Sequence, residues 1–141
     1  MIDALQGKRT LLLAPQAMTN SATVTANVDC DRADYATIEI ALASEINTNA
    51  VGPTISLLQS DDTVVTNFAT VTADRSSEAF VTAKTVVYQV DLRGKKRYLR
   101  LSVTTATATN DDVTVSAVAN LTRNRESPLG TTGQGDAVVI V

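Results

Sequence analysis

The stretch VVYQVDLRGKKRYLRLSV, Val86–Val103, decides the fold. Val86, Tyr88, Val90 and Leu92 share one face of an extended chain. Beyond Gly94, Leu99, Leu101 and Val103 share a face while Tyr98, Arg100 and Ser102 point the other way. Side chains alternate sides along a strand, so period two on both flanks of a Gly-containing turn predicts a β-hairpin with one buried and one wet face.

The same material recurs outward from this stretch. Arg9–Ala14, closed by Pro15, reads as a first strand. Thr23–Val28 follows with Val24, Ala26 and Val28 inward, then Tyr35–Leu42 with Ile38, Ile40 and Leu42 inward. Beyond the loop Ser44–Pro53 come Thr54–Gln59 and a weaker strand near Phe68–Ala73. Val113–Leu121 completes the set, with Val113, Val115, Ala117, Ala119 and Leu121 on one face. Arg75–Lys84 is expected to be loop or a short helix, although Phe80 and Val81 also suit an edge strand. About eight short strands separated by turn residues predict an all-β sandwich of jelly-roll type, with extended termini.

Composition supports this class. Thr, Val and Ala dominate, and Thr and Val suit a pleated, half-buried surface better than a helix. A chain of 141 residues fits one body with a sizeable core. Fifteen acidic against twelve basic residues leave a net charge of −3, which argues against general nucleic-acid affinity. No apolar run is long enough to cross a bilayer, so no membrane association is expected. The opening MIDALQGKR lacks the pattern of a signal peptide, and Cys30 stands alone, so a cytoplasmic place of assembly is expected.

After Arg123 the composition changes. NRESPLGTTGQGD is rich in turn formers and poor in apolar surface, and the chain then ends in AVVIV. The organisation expected is a β-sandwich body over residues 1–122 and a flexible C-terminal arm over 123–141. The run Ala137, Val138, Val139, Ile140 and Val141 has two readings. It folds back onto its own sheet, or it is an inter-subunit arm that adds a strand to a neighbour.

Chemistry is scarce. The chain has no His, which removes the side chain best suited to proton transfer near neutral pH and the commonest metal ligand. Gly130, Gly133 and Gly135 lack the strand–helix context of a phosphate loop. We therefore expect no catalytic residues, no cofactor and no metal: not an enzyme. Asp29, Asp31 and Asp34 form an acidic cluster that oxygen-loving calcium could use, but the spacing is not that of an EF-hand and Arg32 interrupts it. Asx residues are equally at home in strand turns. Tyr35, Tyr88 and Tyr98 are expected in the core or at its rim, and Cys30 as an inert small residue. The basic turn Arg93, Lys95, Lys96, Arg97 and Arg100 is the strongest charged feature. It is a solvated tip that discourages edge pairing or a patch that docks on an acidic protein surface; direct DNA contact is the least favoured reading, since no aromatic residues interleave the cations.

Four segments, DYATIEIAL (Asp34–Leu42), TISLLQSDD (Thr54–Asp62), VDLRGKKRYLRLSVT (Val90–Thr104) and VSAVANLTRNRESP (Val115–Pro128), together resemble small virion proteins of tailed bacteriophages, the capsid decoration or cement group. The resemblance spans most of the chain and carries no ligand motif. It implies a structural protein on the capsid exterior, assembled in the host cytoplasm, with the major capsid protein and its own copies, as a homotrimer, for partners. The competing readings are a carbohydrate- or host-surface-binding module of a phage tail or fibre, and a head–tail component.

Overall fold

The structure is a computed structural model that describes residues 7–19, 21–44, 51–71, 75–78, 84–105, 113–123 and 137–140. Ten strands occupy these segments: β1 (Lys8–Met18), β2 (Thr23–Asp29), β3 (Tyr35–Ser44), β4 (Val51–Ser60), β5 (Ala69–Thr70), β6 (Arg75–Glu78), β7 (Lys84–Asp91), β8 (Tyr98–Thr104), β9 (Val113–Thr122) and β10 (Ala137–Ile140). A short 3-10 turn covers Val65–Asn67.

The strands form two five-stranded sheets. One has the order β1-β9-β3-β7-β10; the other has β2-β8-β4-β5, with β6 also on β4. The antiparallel pairs β1·β9, β2·β8, β3·β7 and β4·β5/β6 nest inside one another like a single long hairpin. That hairpin rolls up, and β3·β9 and β4·β8 seal the two sheets. This nesting is the jelly roll.

The core follows the alternation that the sequence shows. Ile38, Ile40 and Leu42 of β3, Leu99, Leu101 and Val103 of β8, and Val113 to Leu121 at every second position of β9 are buried. Ile55 and Leu57 of β4 lie beside the β8 residues in the second sheet, facing β3 and β9 across the core, and Val28 of β2 closes one side. Central β7 is buried on both faces, from Val86 to Val90. Tyr35 and Tyr88 are core residues and Tyr98 is half-buried, as expected.

Three expectations are corrected. Val86–Val103 is not a hairpin: β7 pairs with β3 and β10, whereas β8 pairs with β2 and β4 in the other sheet. Alternation reveals which face is buried but not which strand lies alongside, and residues 92–97 are long enough to cross the roughly 10 Å between packed sheets. Nor does the first strand stop at Pro15. It runs to Met18, with register breaks between Leu11 and Leu13 and between Leu13 and Gln16. Proline is tolerated there because β1 is an edge strand. Arg75–Glu78 is a short strand on β4 where a loop or helix was expected; Phe80 and Val81 lie outside the described residues.

The body strands end at Thr122, and Ala137–Ile140 returns to pair in parallel with β7. In the single chain the backbone of Ala137, Val138, Val139 and Ile140 thus takes the first of its two readings, a final strand on its own sheet. The outer edge of β7 offers it a row of backbone partners. Val141 and the N-terminal residues 1–6 lie outside the described residues, as do 106–112 and the rest of the expected arm, 124–136.

Candidate functional site

Three connections meet at one end of the sandwich: the β2–β3 turn, the β4–β5 loop and the β7–β8 crossing. They meet because Asp29 and Ser60 both stand opposite Tyr98 at the start of β8, while Asp91 ends β7 opposite Tyr35. Each connection is shaped by a short-range device. In the crossing, the Lys95 N–H donates to the Leu92 carbonyl (3.0 Å) around Gly94, whose φ of 82° is that of a type II turn. A Cβ at Gly94 would meet nothing within 4 Å, so the glycine is there for its backbone angle and not for space. In the β2–β3 turn, the Asp31 N–H donates to the Asp29 carboxylate (3.0 Å) and the Ala33 N–H to the Cys30 carbonyl (3.0 Å), with Arg32 in the left-handed region at φ 62°. Of the acidic cluster, Asp29 therefore does the backbone work of an Asx turn.

The β4–β5 loop is organised by Asp62. Its carboxylate accepts from the Val64 N–H (2.9 Å), the Asn67 side-chain amide (2.8 Å) and the Ser60 hydroxyl (3.3 Å). The Asn67 and Val64 donors hold this carboxyl below the usual aspartate range. The loop so fixed holds Val64 and Val65 in solvent, 54% and 69% exposed. Strand alternation and charge in the sequence do not point to this apolar tip. The available signal was two valines directly after an SDD turn.

The basic turn is largely neutralised from within. Arg93 grips Asp91 through Nε–Oδ1 (2.9 Å) and Nη2–Oδ2 (2.6 Å), and Arg97 grips Asp29 in the same two-toothed way (2.9 and 2.7 Å). Lys96 lies 3.2 Å from Asp61. The Arg93 guanidinium pulls the Asp91 carboxyl down to about 2, and Arg97 lowers that of Asp29. Arg93 sits over the Tyr35 ring (5.2 Å) and Arg97 over Tyr98 (5.0 Å). Arg100 is a correction to the expected patch. It is 8% exposed, its Nε donates to the Asn27 side chain (2.8 Å), and its guanidinium stacks 3.9 Å above Phe68. It fastens β8 to β2 and to the β4–β5 loop and presents no charge outward. Unlike Arg93, Lys96 and Arg97, Lys95 has no carboxylate partner among the described residues.

Beside this cluster an open concavity of about 620 Å³ is lined by Lys8, Asp29, Asp31, Arg32 and Arg123 among others. The Arg123 Nε donates to the Arg32 carbonyl, tying the end of β9 to the β2–β3 turn. Asp29 is already committed to Arg97, and Asp31 stands 3.6 Å from Arg32. Among the described residues no group of three or more Cys, Asp or Glu is placed to hold a metal ion. Burial pushes the Cys30 thiol up to about 12, so it stays protonated.

No protein-family profile and no curated protein matches the chain significantly. Solved structures do. The chain overlays on the enzymatically active domain of tailspike protein 4 from bacteriophage CBA120 with a TM-score of 0.52 and 9% identity. That match covers 82% of this chain and 19% of the tailspike chain, so this chain spans about a fifth of that protein's length. It is also similar to the tobacco streak virus coat protein (TM-score 0.43, 9% identity, 92% of this chain and 95% of that one) and to the VP2 subviral particle of infectious bursal disease virus (0.44, 14%, 86% and 33%). At these identities the likeness is one of fold.

Proposed function

We propose that this chain is a structural virion protein that decorates and stabilises the capsid of a tailed phage and performs no catalysis. The observation that carries the reading is the loop end: three connections locked together by ion pairs and Asx turns on a jelly-roll body. Such an end is a stiff contact surface, which a shell protein needs, and it is spared the ordering cost of mobile loops. The sequence resemblance to decoration proteins and the overlay on a phage tailspike module support the viral setting. Docking on the major capsid protein falls to the exposed tip Val64 and Val65 of the β4–β5 loop and to Lys95 in the β7–β8 crossing at the same end of the sandwich. Arg93, Lys96 and Arg97 hold that surface in shape. Three copies filling a threefold position would add their contacts at high effective concentration.

Purified protein mixed with emptied heads is the test. It should sediment with them and raise the temperature at which they break open. Lys95→Glu combined with Val65→Asp should abolish both effects while leaving the thermal midpoint of the free protein within a few degrees. Heads that neither bind the protein nor gain resistance would overturn the proposal. A second reading, a tail or fibre module that grips a host-surface carbohydrate, is favoured by the tailspike overlay. A glycan screen separates the two: saturable sugar binding by a protein that ignores heads selects the tail.

A further inference from the structure

We propose that the outer edge of β2, Thr23–Asp29, is a self-pairing interface at which a second copy of this chain adds its own β2 antiparallel about a twofold axis at Ala26. The argument begins with hydrogen-bond parity. At one end of the β2·β8 ladder the Thr105 N–H donates to the Ala22 carbonyl (2.9 Å), and at the other the Cys30 N–H donates to the Arg97 carbonyl (2.9 Å). The register between them runs without a break. Bonded pairs recur every second residue in an antiparallel ladder, so the even-numbered residues of β2 spend their backbone groups on β8. The N–H and C=O of Thr23, Thr25 and Asn27 therefore aim off the sheet, where no described strand pairs with them.

Other edges of the sandwich carry protection that β2 lacks. β1 has Lys8, Arg9, Pro15 and two register breaks. β5, β6 and β10 are two, four and four residues long. Short, charged, bulged or proline-bearing edges resist association. β2 spans seven residues, TVTANVD, with no proline, no lysine and no break in register. Its one charge, on Asp29, is matched by Arg97 at 2.7 Å. Val24 and Ala26 face the core yet remain half-buried, so this side of the sandwich has apolar surface still to cover.

The occupant that fits is β2 itself. With Ala26 on the axis, Thr25 of one copy faces Asn27 of the other and both exchange backbone bonds through the groups that point outward. Val24 faces Val28, and Thr23 faces Asp29. Polar meets polar on the outer face and apolar meets apolar on the inner face, as an isologous contact requires. The two Ala26 residues form a non-hydrogen-bonded pair, the kind in which Cβ atoms approach to about 4.5 Å. On a shell this contact would join neighbouring assemblies across a twofold position, in addition to any threefold contact.

Two variants of the full chain test it. Thr25→Pro removes an N–H that points off the sheet and leaves the β8 ladder intact, so the fold should survive. Thr25→Lys serves the same purpose should the proline variant fail to fold. In sedimentation velocity at rising concentration, wild type should reach at least twice the mass of either variant. In the wild-type background, Ala26→Cys should form disulfide-linked pairs under mild oxidation, with buried Cys30 silent. Equal masses for wild type and both variants would overturn the inference. So would doubled mass without cross-linking at Ala26→Cys, since another surface would then be responsible. Binding to emptied heads is measured separately, and Thr25→Pro should retain it.

Discussion

Tyr88 on β7 spans the sandwich, and its hydroxyl donates to the carbonyl of Ile55 on β4 at 3.3 Å, inside the core. The bond joins the two sheets at residues that are both completely buried. Removing the hydroxyl leaves a buried acceptor with one partner fewer. Tyr88→Phe should therefore cost about 1 kcal/mol, read as a thermal midpoint lower by roughly 3 °C. An unchanged midpoint would mean the bond contributes nothing net.

Leu101 sits at the centre of β8 with no exposure, whereas Leu11 on β1 is 61% exposed. Leu101→Ala should cost roughly 2–5 kcal/mol, because the lost transfer energy and the cavity add. Leu11→Ala should stay within about 0.5 kcal/mol. Urea denaturation of the pair checks the ordering, and a similar loss in both would contradict the placement of the core.

Arg100 should behave as a structural side chain. Arg100→Lys keeps the charge but loses the planar stack on Phe68 and the Nε bond to Asn27. The loss should be about 1–2 kcal/mol, the range for a desolvated cation–π contact and a hydrogen bond to a charged donor. Capsid binding, measured on protein kept well below its midpoint, should not change.

Stability should depend on pH through carboxylates alone over the acid range. Asp29, Asp62 and Asp91 all have carboxyls held below their ordinary values in the folded chain, Asp91 at about 2. A lowered folded value means the unfolded chain binds protons first as pH falls. Their contribution is thus complete above the unfolded carboxylate value near 4 and is lost between about pH 4 and pH 2. With no histidine in the chain, the thermal midpoint should stay flat from pH 8 down to pH 5 and fall only below about pH 4. Asp62→Asn should make the acid drop shallower.

Sequence reading recovered the strands and their inward faces because period two is a local signal that burial imposes directly. Ile38, Ile40 and Leu42, or Leu99, Leu101 and Val103, declare their face without any knowledge of neighbours. Pairing is not local. Nothing in LRGKKR distinguishes a hairpin turn from a crossing between sheets, and both use a glycine at positive φ. The site suffered the same limit. Arg93, Lys96 and Arg97 look like a free cationic patch until the fold brings Asp91, Asp61 and Asp29 beside them, the last from 68 residues away. Arg100 looks like its neighbours in sequence, yet strand alternation sets it between Asn27 and Phe68.

Cys30 offers a reading of folding itself. Its thiol is buried and stays protonated up to about 12. A thiol reagent at pH 8 should leave it unmodified in the folded protein and label it fully in denaturant. Rapid labelling of the native chain would show that the β2–β3 turn opens.

The central claim is that this jelly roll is a structural part of a phage head, and electron cryomicroscopy of native particles tests it most directly. The account predicts density of this fold on the outer surface of the shell, with the Asp61–Phe68 loop against the major capsid protein. Density for it on the tail alone, or its absence from the particle, would contradict the account.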